Sequence, residues 1–89
     1  MTRYASVPQA VFAEVPGGGV VLHTGTKRYY SLNQTGARIW ALLEVGGDPD
    51  ATADVVAAEY EIPVVEANRA VSDLIDGLVK AGLLRAATE

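Results

Sequence analysis

The sequence predicts an α+β domain with its strands in the first third and its helices after them. Three observations carry this prediction. Pro16-Gly17-Gly18-Gly19 and Gly25-Thr26 divide the first third into short β-prone runs. Lys27 to Trp40, KRYYSLNQTGARIW, passes directly from an aromatic strand into helical spacing. Beyond it, apolar residues recur at helical intervals, broken only at Gly46-Gly47-Asp48-Pro49 and Glu61-Ile62-Pro63. Strands segregated from helices indicate α+β rather than alternating architecture.

The first strand is expected over Val7 to Val15. Val7, Gln9, Val11, Ala13 and Val15 share one face, and Pro8, Ala10, Phe12 and Glu14 the other. Both faces carry apolar residues, so the inward face stays open. Val20 to Thr24 is the second strand and Arg28 to Leu32 the third, which makes a three-stranded antiparallel meander. Tyr30 and Leu32 share a face, expected to be core, and Tyr29 points to the other. Asn33 is placed to cap the first helix, Gln34 to Val45, because its side-chain oxygen can accept from a free first-turn amide. Ile39, Trp40 and Leu43 form the buried stripe of that helix.

Glycine and proline end the first helix at Gly46 to Pro49. The second is expected over Ala51 to Tyr60, with Asp50 or Thr52 as its cap and Val55, Val56 and Tyr60 buried. The third starts near Pro63, a residue favoured at helix starts, and runs to about Ala81. At 1.5 Å per residue it spans roughly 28 Å. Ala67, Val71, Leu74, Ile75 and Leu78 give its apolar stripe. Gly82 stops it, Leu83-Leu84 folds back onto the core, and Ala86 to Glu89 is expected to fray. Residues 1–89 therefore read as a single domain with a core of about 7–84 and frayed ends. A short-turned helix pair beside a small sheet is winged-helix-like, with the sheet at the N-terminal end.

Composition narrows the function classes. The chain has 89 residues, a formal net charge of −4 and no cysteine. Disulfides and thiolate metal sites are excluded. The positive charges are scattered rather than striped, which argues against nucleic acid. No apolar run approaches the roughly 20 residues of a membrane span, and the N-terminus lacks the pattern of a secretory signal. The cytoplasm is the expected location. His23 is the single histidine, with no second ligand to complete a metal site, and reads as a strand residue. Ser6, Ser31 and Ser72 sit in no nucleophile motif, and Gly17-Gly18-Gly19 lacks the lysine of a phosphate loop. The chain reads as a non-enzyme without cofactor, metal or catalytic residue.

Three runs together resemble the PqqD-like family, also called RiPP recognition elements: RYYSLNQTGARIWALLE, ADVVAAEYEIP and AVSDLIDGLVKAGLL. The similarity covers about Val7 to Leu84. Its most specific part is Leu32-Asn33 followed by Thr35-Gly36-Ala37-Arg38-Ile39-Trp40. At this size the chain is most similar to the stand-alone leader-binding domains of lasso-peptide gene clusters. The resemblance implies a module without chemistry of its own. It binds the leader of a ribosomally made precursor peptide, which adds as a strand beside the third strand and lies against the third helix. It also implies two partners, a leader-cleaving cysteine protease and an ATP-dependent cyclase. A related domain in pyrroloquinoline quinone biosynthesis delivers its peptide to a radical SAM enzyme instead.

The residues alone bear on that site. The third strand has one edge against the second and one edge unassigned. That second edge is either open to an extended peptide or covered by the chain's own loop or helix. Arg28, Tyr29, Tyr30, Ser31 and Leu32 are the strand candidates for peptide contact. On the third helix, Ala67, Ala70 and Leu74 fit either a groove floor or the core, and Glu66, Arg69 and Asp73 either flank a peptide or form a solvated face. A winged-helix DNA regulator is the competing function, and the acidic third helix is a poor match for phosphate.

Overall fold

The computed structural model describes residues 3–87. The chain runs β1 (Arg3–Ser6), β2 (Ala10–Val15), β3 (Gly18–His23), β4 (Tyr29–Asn33), α1 (Gln34–Gly46), α2 (Pro49–Tyr60), α3 (Val64–Lys80) and β5 (Leu84–Ala87). The central unit is the expected meander, an antiparallel sheet in the order β2-β3-β4, followed by three helices. Pro16 and Gly17 join β2 to β3. Gly17 has φ +81°, which glycine adopts without steric cost.

Two strands were not expected. β1 and β5 pair antiparallel, with Arg3 opposite Ala87 and Ser6 opposite Leu84. The paired structure thus extends beyond the anticipated core limits. Ala86 and Ala87 do not fray, because each has a backbone partner across the sheet. Thr88 and Glu89, also assigned to the frayed tail, lie outside the described residues, as do Met1 and Thr2. The first predicted strand is shorter than expected: Val7, Pro8 and Gln9 form the connection from β1, where the Val7 amide donates to the Leu83 carbonyl at 3.1 Å.

The core sits between the meander and the helices. Val21 and Leu32 come from the sheet, Ile39, Trp40 and Leu43 from α1, and Val71, Ile75 and Leu78 from α3. Leu83 and Leu84 fold back into it, 2% and 3% exposed. Phe12 settles the inward face of β2, since its ring stacks on Trp40 at 6.5 Å between centroids. The buried face of α2 differs from the expected one. Ala53, Val56 and Ala57 face inward, whereas Val55 and Tyr60 are each 37% exposed. A helix starting two residues earlier, at Pro49, still obeys its 3.6-residue period. Its contact with α3 selects the small alanines because they permit close approach.

The helix ends follow local chemistry. Asn33 Oδ1 accepts from the Gly36 amide at 2.7 Å, as the sequence predicts. The α2 cap is Asp48, not Asp50 or Thr52: its Oδ1 accepts from the Asp50 amide at 3.0 Å, and Pro49 occupies the first turn. Among the described residues no helix is long and apolar enough to cross a membrane.

Candidate peptide-binding groove

Backbone availability defines the site first. The His23 amide donates to the Arg28 carbonyl at 2.8 Å, and the Thr24 amide to the Gln9 carbonyl at 2.9 Å. An antiparallel ladder alternates in direction. Carried along the register, these two bonds aim Tyr30 and Leu32 of β4 at β3. The N–H and C=O groups of Tyr29 and Ser31 then point away from the sheet. β4 is an edge strand whose only strand neighbour among the described residues is β3. Among the described residues no backbone hydrogen bond reaches these outward groups.

A cavity of about 290 Å³ lies between this edge and α3. Four expected residues line it: Tyr30 from β4, and Ala70, Asp73 and Leu74 from α3. Four others, Asn33, Thr35, Gly36 and Ile39, come from the strand end and the first turns of α1. They were not singled out as site residues, although the cap sequence Asn33 to Gly36 already marked the place where α1 closes the groove.

Gly77 sets the distance between the two walls. A Cβ there would collide with the Tyr30 hydroxyl. Its absence lets the phenol lie directly on α3 and form the half-buried base of the groove. Gly77 costs roughly 1 kcal/mol in helix propensity relative to alanine, so the close approach is a specific demand on this position.

The remaining expected residues fall in three places. Tyr29, 69% exposed, and Ser31 lie on the outer face of β4, beside the free backbone groups. Leu32 is 6% exposed and Ala67 fully buried, so neither side chain faces the groove. Of the two roles the sequence leaves open for Ala67, groove floor or core, its burial fits the core: it lies in one buried stripe of α3 with Val71, Ile75 and Leu78. Arg28 is exposed in the β3–β4 turn, where its amide donates to Thr26 Oγ1 at 3.3 Å. Glu66 and Arg69 are exposed on α3 outside the cavity lining.

The other chemistry of the molecule is structural. His23 Nδ1 accepts from the Gly25 and Thr26 amides, each at 3.1 Å, and so shapes the β3–β4 turn. Arg38 and Glu59 form a two-pronged pair at 2.9 and 2.6 Å between α1 and α2. The hydrogen bond and charge of Arg38 hold the Glu59 carboxyl below its ordinary range, and Glu59 raises the Arg38 guanidinium in return. Among the described residues no cluster of histidine, cysteine or acidic side chains is arranged to hold a metal ion.

Comparison with known proteins gives the groove its context. The chain is similar to TbiB1, solved in complex with the TbiA(beta) leader peptide: 30% identity over 96% of this chain and 99% of that one, with a TM-score of 0.84. It is also similar to a lasso peptide synthetase B1 complexed with the leader peptide, at 28% identity over 93% and 98% of the two chains, TM-score 0.84. No curated protein sequence matches it. The family model for coenzyme PQQ synthesis protein D (PqqD) matches residues 18–84, which span every element that frames the groove. The chain belongs to the PqqD family.

Proposed function

We propose that this protein binds the leader segment of a ribosomally synthesised precursor peptide in a lasso-peptide-type pathway, by adding the leader as a strand to β4 with α3 as the opposite wall. The observation that carries the reading is the coincidence of an unpaired edge at Tyr29 and Ser31 with the apolar cavity beside it. The similarity to two chains solved with leader peptides supports it. Main-chain pairing contributes about 0.5–1.5 kcal/mol net per hydrogen bond, and one buried aliphatic or aromatic anchor about 1.5–3 kcal/mol. Edge pairing therefore sets orientation, and the cavity selects the anchor.

The domain acts by presentation rather than catalysis. A leader-cleaving cysteine protease and an ATP-dependent cyclase are the enzymes to which it presents the precursor, in the cytoplasm. Amide hydrogen exchange tests the docking mode, with a synthetic peptide spanning the leader of the precursor encoded in the same gene cluster. Protection should appear at the Tyr29 and Ser31 amides and not at Phe12 or Glu14, whose amides face away from the sheet on its other edge. Protection confined to β2, or to α3 without β4, rejects strand addition at this edge.

A further inference from the structure

We infer that Asp73 makes the groove selective for a leader that carries a lysine or arginine two positions from its apolar anchor. The inference rests on strand addition at β4. In an added strand, residues opposite Tyr30 and Leu32 turn inward toward α3, and the residue between them, opposite Ser31, turns outward. Two successive inward side chains stand about 7 Å apart. Ala70 and Leu74, one helical turn apart on α3, stand about 6 Å apart along its axis. Consecutive inward side chains of the leader therefore meet consecutive turns of the wall.

That wall is chemically uneven. Ala70, Leu74, Ile39 and Gly36 offer apolar surface, and Asp73 is the one charged residue among the lining. Asp73 is exposed, and among the described residues it has no ion-pair or hydrogen-bond partner. A lysine or arginine stem can lie along Leu74 while its charge reaches the carboxylate at the rim. A leader acid at the same position meets a like charge. The net charge of −4 acts in the same direction on encounter.

The test is selection from a displayed library of random, proline-free 12-residue peptides against the wild-type chain and the Asp73→Lys and Ser31→Pro variants. Asp73 is exposed, so its replacement should leave the fold intact, and circular dichroism checks both variants. Wild-type binders should be enriched in an apolar residue and a lysine or arginine at spacing two. Asp73→Lys should shift that second position to aspartate or glutamate. For a selected peptide, reversing its basic residue should weaken wild-type binding about threefold to fivefold, the range of a partly exposed ion pair, and strengthen binding to Asp73→Lys. Binders that Ser31→Pro abolishes, yet whose charge composition is the same for wild type and Asp73→Lys, overturn the charge selectivity and leave strand addition standing. Absence of binders, or binders indifferent to Ser31→Pro, removes strand addition and this inference with it.

Discussion

The two outer strands of the meander offer similar free backbone but border different surroundings. On β4, whose Tyr29 and Ser31 carry the outward groups, Tyr30 borders a cavity of about 290 Å³ walled by α3 and the first turns of α1. On β2, the outward amides include Phe12 and Glu14, and the adjoining cavity is about twice as large, roughly 590 Å³. That second cavity is bordered by Glu14, by Tyr60 and by an Arg38 already engaged with Glu59. The wall beside β2 is α1, through Gln34, Ala37 and Ala41, whereas the wall beside β4 is α3 with the first turns of α1. The difference teaches that free backbone alone does not distinguish the two edges; the side chains beside each edge do. In strand addition the main chain supplies affinity and the pockets beside the edge supply selection by side chain.

Proline substitution should separate the two edges most strongly. Ser31→Pro removes an outward amide without touching the β3–β4 ladder, a position where an edge strand tolerates proline. Leader affinity should fall about tenfold or more by fluorescence anisotropy, since a main-chain bond is lost and the approach is obstructed. Glu14→Pro makes the equivalent change on β2 and should leave affinity within about twofold. Equal losses from both would dissolve the distinction between the edges.

A smaller effect is expected from Gly77→Ala, which tests the wall rather than the strand. The added methyl displaces the Tyr30 hydroxyl, while alanine improves helix propensity by roughly 1 kcal/mol. Thermal stability should change by about 1 kcal/mol or less, and leader affinity should drop about threefold to tenfold. Affinity that follows stability alone would mean that the groove width does not matter.

The smallest change belongs to Arg38→Ala, beside the β2 cavity. The folded-state pKa of Glu59 is depressed, so the pair's contribution is complete above the ordinary glutamate value of 4.5 and fades as the pH falls below it. The variant should lose that acid-side dependence in thermal melts and keep its leader affinity. A change in affinity would assign the β2 side a part in recognition.

The features legible in the sequence are those written in neighbouring residues. Asn33 announced the strand-to-helix junction, and Trp40, Ile75 and Leu78 announced their burial through helical spacing. The features it hid depend on distant partners. Arg3 to Ser6 is too short to carry a strand signal, and its partner lies some 80 residues away. Asp48-Pro49 was read as a stop after α1 because the same pair also starts α2. The spacing of Ala67 from Val71, Ile75 and Leu78 places it in the buried stripe of α3, whereas the place of Ala70 in a cavity wall depends on where β4 and α1 lie against the helix.

The pairing of β1 with β5 has a practical consequence for engineering. Because Arg3 stands opposite Ala87, tethers attached at either position leave from one spot on the surface. The fold is therefore suited to insertion into an exposed loop of a host enzyme, or to circular permutation with a short linker.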